Sequence, residues 1–347
     1  MSFIKLQPTD LVVSNDAVTA PAWSTGNPTM LGTTMYLTPA KSTAPTFYTD
    51  VYVASTNGAT TSSLPQFSLA YGHISGSGST YYNPLVPGNT PTRTVYGQFR
   101  NMVYGDENTS FNFGGLNTAA QDIFVINVNR SSYKESLFPG TFNLALAQGS
   151  TVRYLTTNAN QINTVSYLDC GRVYDIVSGS NGYANAPAAP QGGAAAGYTP
   201  SGSYGLFLAD IGVIVLNPAA LTLGPNFGGI SLVYAAQTNV NNFNWSALFS
   251  LMSAANASFN LNSYETVSSD YVFVRVPNNQ YNYTTNPSII SGSGALLYST
   301  LINNPQTYMT TVGLYNDNQE LLAVAKLSKP LVKDFTKEAL IQVKLNW

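Results

Sequence analysis

The chain has 347 residues, enough for one large β-rich domain or two, with ample apolar material for a core. A net charge of −2 excludes bulk electrostatic attraction to nucleic acid or to an anionic membrane, and a single cysteine, Cys170, excludes an intramolecular disulfide and a cysteine metal cluster. Only 9% of the residues are charged, against about 25% in ordinary soluble proteins.

Between Asp175 and Glu265 the sole charged residue is Asp210. A surface of Asn, Ser, Thr, Gln, Gly and Tyr costs little to desolvate against another protein. Charged side chains are depleted from interface cores and tyrosine is enriched there. With 23 tyrosines, the composition suits a subunit permanently packed against neighbours. The plainer alternative is a free-standing polar β protein. The start, MSFIKLQPTD, lacks the basic-then-apolar pattern of a secretory signal, so the sequons at Asn108, Asn129 and Asn256 carry no weight. The most apolar stretch, Gly205 to Leu223, is interrupted by Asp210 and by Asn217-Pro218, too broken for a bilayer span. The expectation is a chain made and folded in a cytoplasm, with no membrane insertion.

In chain order, Phe3 to Val13 reads as a strand or extended arm, and Ala20-Pro21-Ala22-Trp23 as irregular. Phe47 to Val53 alternates aromatic and β-branched residues with polar ones and predicts a strand, with Phe67 to Tyr71 as its partner. Gly72 to Gly97 reads as a long binding loop, and Gln98 to Val103 and Ile123 to Asn129 as strands. Ser132 and Glu135 fit a capping box over one helical turn that Pro139-Gly140 ends, before a strand over Thr141 to Ala147. Val152 to Ile176 holds two or three short strands. Ser178 to Gly205, dominated by Gly, Ala, Pro, Ser and Asn, cannot bury enough apolar surface to form a core.

Ile211 to Leu216 reads as a buried strand and Pro218 to Leu223 as a helical turn. Asn242 to Ala257 is the one clear helix, capped by Asn244, with Trp245, Leu248, Phe249 and Met252 on one face. Tyr271 to Val276 is a strand placing Tyr271, Phe273 and Arg275 together, and Asn278 to Ser293 an Asn/Tyr-rich loop. Thr310 to Tyr315, the turn Asn316-Asp317-Asn318 and Leu321 to Ala325 form a hairpin whose ladder Pro330 breaks. Ala339 to Leu345 alternates, with Ile341, Val343 and Leu345 on the inner face. Five of the eight lysines, Lys326, Lys329, Lys333, Lys337 and Lys344, fall here and read as a solvated sheet edge.

The fold class is therefore mainly β with few short helices: antiparallel sheets in sandwich-like lobes with long irregular loops. The expected division is an N-terminal β-rich lobe over 1–177, a surface loop or linker over 178–204, and a C-terminal β-rich lobe over 205–347 carrying the helix near 242–257 and the terminal hairpin.

Chemistry is sparse. The single histidine, His73, has no Gly-x-Ser-x-Gly elbow to serve. Clustered zinc ligands, a phosphate-cradling P-loop and an EF-hand spacing around Asp317 are missing. Asp106, Glu107, Asp169, Asp175, Asp210 and Glu265 are candidates for a glycosidic carboxylate pair only by being acidic. Arg93, Arg100, Arg130, Arg153, Arg172 and Arg275 each need a partner in so uncharged a chain, with Arg172 and Asp175 the suggested internal pair. No catalytic, cofactor or metal residue is assigned, and the chain is not read as an enzyme.

The segments MSFIKLQPTDLVVSNDAVTAPAW, YGQFRNMVYGDEN, VINVNRSSYKESLFPGTFNLAL and TYMTTVGLYNDNQELLAVAKLSKPLVKDFTKEALIQVKL resemble a family of virion structural proteins of contractile-tailed phages, particularly those of cyanobacteria and related aquatic bacteria. The resemblance covers most of the chain outside Ser178 to Gly205, and its last segment is the most distinctive. It implies a tail subunit, in the baseplate wedge, present in multiple copies among other virion proteins and assembled in the host cytoplasm. It brings no catalytic residues. The alternatives are a head decoration or neck protein, and a tail protein that binds or hydrolyses host-surface carbohydrate.

Overall fold

The computed structural model describes residues 3–23, 26, 28, 48–54, 61–76, 78, 91–113, 119–184, 204–222, 230, 232, 242–283 and 286–346. The fold is mainly β, and the chain divides into a larger compact unit, Val18–Glu265, and a smaller one formed by Met1–Ala17 with Thr266–Trp347. Two strands, β1 (Leu11–Pro21) and β12 (Ser258–Val276), run from one unit into the other.

In the larger unit the strands are β2 (Tyr48–Ala54), β3 (Thr61–His73), β4 (Asp122–Val128), β5 (Ser136–Gln148), β6 (Thr151–Thr157), β7 (Ser166–Leu168), β8 (Gly171–Ser180), β9 (Tyr183–Ala184), β10 (Gly205–Leu208) and β11 (Val213–Leu216). The antiparallel path runs from the first half of β12 through β5, β6, β8, β10, β11, β4 and β3 to β2, with β7 and β9 on β8. Alternate residues of the central strands feed two cores. Phe124, Ile126, Ile214 and Phe207 enter one; Ile123, Val125, Val215 and Leu206 enter the other. Both faces being covered, β4 and β11 read as unbroken apolar runs rather than alternating ones.

One core is closed by the sheet curling over itself: Phe67 on β3 meets Phe259 on β12 at 5.7 Å, and Phe142 on β5 meets Phe207 on β10 at 5.1 Å. This is the sandwich-like packing expected of the class. α2 (Pro218–Leu221) and α3 (Trp245–Met252) pack into the same core, whereas α1 (Thr92–Tyr104) lies in the other through Val95, Tyr96, Phe99 and Val103.

Several local expectations are corrected. Thr92 to Gly97 is not loop, nor Gln98 to Val103 strand; both belong to α1, whose apolar residues recur at helical spacing. The one-turn helix is a 3₁₀ turn over Arg130–Ser132 capped by Asn129, which accepts from the Ser131 N–H, while the Glu135 N–H donates to the Tyr264 carbonyl. β5 passes through Pro139-Gly140 by shifting register against β12 between Asn260 and Asn262. The helix expected over 242–257 is a 3₁₀ turn, Asn242–Asn244, followed by the eight residues of α3. β1 continues through Ala20 to Pro21. The 178–204 segment is not a boundary between lobes, because Ile176 and Gly205 on either side of it are antiparallel partners in β8 and β10. Residues 185–203 themselves lie outside the described residues, as do 79–90 of the expected binding loop.

In the smaller unit the second half of β12 pairs with β15 (Ala339–Asn346), Val272 opposite Val343 and Val274 opposite Ile341. β13 (Thr307–Tyr315) and β14 (Leu321–Lys333) form the hairpin as a separate two-stranded sheet, and a four-residue helix, α4 (Thr300–Asn303), precedes it. Pro330 interrupts the ladder without ending it: Thr311 faces Lys326, and pairing resumes with Met309 opposite Leu331. The inner face expected of the last strand holds, with Ile341 and Val343 buried and Leu345 half-buried.

Candidate assembly surface

Several of the residues singled out for chemistry make local structural contacts. His73 is buried at the end of β3, opposite Asp122, and its Nδ1 accepts from the Ser75 backbone N–H at 3.0 Å. Burial pushes its imidazole down, against the opposing pull of Asp122, so the ring is a neutral turn-holding acceptor. The internal arginine pair is Arg172 with Asp210, not with Asp175. Arg172 Nε and Nη2 reach Asp210 Oδ1 at 2.9 and 2.5 Å, its backbone N–H reaches Oδ2 at 2.8 Å, and Nη2 also donates to Ser136 Oγ. Asp175 takes Asn158 as its partner instead.

Asp106 accepts from Asn108 and Thr109 in an exposed turn, and the Thr109 hydroxyl leads in lowering its carboxyl. Arg130 donates to the Tyr133 carbonyl with its guanidinium over the Tyr133 ring, and Arg153 lies over Tyr204. Among the described residues no three His, Cys, Asp or Glu side chains converge to hold a metal.

The lysine-rich edge is solvated at Lys326, Lys329, Lys337 and Lys344, but Lys333 is 0% exposed. Its Nζ donates to the Asn278 carbonyl at 3.0 Å, Asn282 Oδ1 at 2.7 Å and the Asp334 carbonyl at 2.9 Å. Three acceptors match the three donors of an ammonium. This pins the loop after β12 to the end of β14. Asp334 is held at about 2 by the Thr336 hydroxyl first and by Lys337 at 3.1 Å.

Among the described residues, the smaller unit has little interior. Its core is Val272, Ile341 and Val343, with half-buried Met309, Val312, Leu314, Ala325 and Leu327 packed on it. The larger unit instead holds two extensive clusters rich in aromatics. Most of the large apolar side chains left exposed among the described residues fall in the smaller unit. On the hairpin these are Tyr308, Tyr315, Leu321, Leu322 at 68% and Val324; on the N-terminal arm, Phe3, Leu6, Leu11, Val12 and Val13. Among the described strands β1 pairs only with β12 and, but for one residue, is exposed along all 11 residues. The arm is fixed at its base by Asp10, which accepts from Arg275 Nε at 3.0 Å and from the Gln7 N–H at 3.0 Å. Clustered exposed apolar residues beside strand edges that are unpaired among the described strands are the kind of surface proteins bury against a partner. From sequence, contacts with neighbours are expected from the loops Gly72 to Gly97, Ser178 to Gly205 and Asn278 to Ser293, with the C-terminal hairpin as a folded anchor, rather than from the arm and hairpin. Compared with known proteins, the chain matches no family model, no curated protein and no solved structure.

Proposed function

We propose that this chain is a structural subunit of a phage virion, placed in the tail baseplate as a wedge component, and that it works through protein–protein contacts rather than catalysis. The observation that carries the contact role is the smaller unit, whose arm and hairpin expose apolar residues over a core of three buried side chains. The contact would cover the uncharged apolar residues of the arm and hairpin and leave Lys326, Lys329 and Lys344 at its solvated margin. The virion and baseplate placement rests on the sequence resemblance, spread over the N-terminal arm, the middle strands and the terminal hairpin. The test is a density map of the intact particle. The expected result is this chain built in the baseplate with its arm and hairpin against neighbouring subunits. Density in the neck or head would overturn the placement, and its absence from purified particles by mass spectrometry would overturn the virion role.

A further inference from the structure

The two outer edges of the C-terminal hairpin are not alike. The β14 edge carries Lys326, Lys329 and Pro330, the residues by which proteins discourage stray strand addition. β13, TYMTTVGLY, has no charge and no proline, is rich in β-branched and aromatic residues, and pairs only with β14 among the described strands. Among the described strands, one edge is guarded and the other is open.

The open edge is complementary to itself. Along β13, Thr307, Met309, Val312 and Leu314 are half-buried and the other residues exposed, so the alternation slips between Thr310 and Thr311. An added antiparallel strand must keep inner residues opposite inner ones. Reversing β13 about the point between Thr310 and Thr311 does this. Met309 then faces the second copy's Val312, and Thr307 faces its Leu314. On the outer side Thr310 faces Thr311, and Tyr308 falls opposite Gly313, over which Tyr315 and Leu321 of the same hairpin already lie. Threonine pairs are favourable cross-strand neighbours, and no like charges meet. We infer that β13 pairs antiparallel with β13 of a second copy of this chain, joining two hairpins into a four-stranded sheet across a two-fold axis. This rests on the contact role proposed above and names one of its partners.

Light scattering on the full-length chain across a concentration range tests it. The expected mass is twice 37.1 kDa at the higher concentrations. Thr310→Lys, which sets two lysines beside each other at the axis, should return the mass to that of one chain with an unchanged circular dichroism spectrum. In a Cys170→Ser background, Thr310→Cys should give a disulfide-linked dimer on mild oxidation, which supports the pairing even if the lysine variant misfolds. A wild-type chain that stays monomeric, or a dimer that neither variant affects, overturns the inference. If the monomeric chain still assembles into particles, the self-pairing fails and the virion role stands. If the chain forms the β13-linked dimer in solution but is itself absent from particles, the self-pairing stands and the virion role fails.

Discussion

Asp175 on β8 and Asp210 in the turn after β10 carry opposite pH signatures. Burial alone would raise Asp210, but the hydrogen bonds and charge of Arg172 outweigh it and hold the carboxyl below its ordinary 3.8. A lowered carboxylate adds stability that is complete above its unfolded value and is lost as pH falls through the folded one. Asp175 is raised by burial alone, so its contribution is favourable below 3.8 and is lost as pH rises through the folded value; at pH 7 its charge opposes folding. Asp210→Asn should therefore lower stability at pH 7 by about 1–3 kcal/mol, since it weakens hydrogen bonds to a charged group. Asp175→Asn should raise the melting temperature at pH 7 while keeping an oxygen for Asn158, and the gain should vanish below pH 3.8. Thermal melts of both variants between pH 3 and 7 read the two signs. Lys333→Met presents a different fault: three carbonyl acceptors lose their donor in a buried site. A loss of about 2–4 kcal/mol is expected. Faster amide exchange over 278–283 would place the loss in the loop that Lys333 holds.

At the scale of elements, what the sequence showed depended on whether the signal was local. β4, β11 and β15 are legible because an apolar run or a strict alternation fixes their faces within the segment itself. The hairpin is legible from its Asn-Asp-Asn turn. α1 is not, because Thr, Val, Tyr and Phe favour strands by propensity, and only the placing of Val95, Tyr96, Phe99 and Val103 over the sheet makes the helix worthwhile. Pro139 and Pro330 end no strand because register shifts absorb them, which the sequence cannot show. Nor can it show that Lys333 finds Asn278, 55 residues earlier. The end of α1 yields a sharp prediction. Gly105 closes the helix at φ 63°, its N–H donating to the Asn101 carbonyl, and a Cβ there would run into the Asp169 carboxylate. Gly105→Ala should cost about 1–2 kcal/mol, measured as a lower urea midpoint with an unchanged slope.

For the whole molecule, the contrast between the two units becomes a contrast in local stability. Opening free energy follows buried apolar contact, and a two-stranded hairpin alone is marginal in water. The larger unit buries both faces of its central strands, so the amides of β4 and β11 should open only with global unfolding. β13 and β14 rest on three buried side chains and half-buried neighbours, and their outward face carries Leu321, Leu322 and Val324 uncovered. Hydrogen exchange followed by mass spectrometry, on the chain diluted to a single copy, should show β13 and β14 exchanging at least tenfold faster than β4 and β11. A tenfold difference corresponds to about 1.4 kcal/mol of opening free energy. In the intact particle the same peptides should gain protection, and those of β4 should not change. Equal protection of both sets in the dilute chain would mean that the smaller unit is stable without cover, and would remove the physical reason for placing the subunit contacts there.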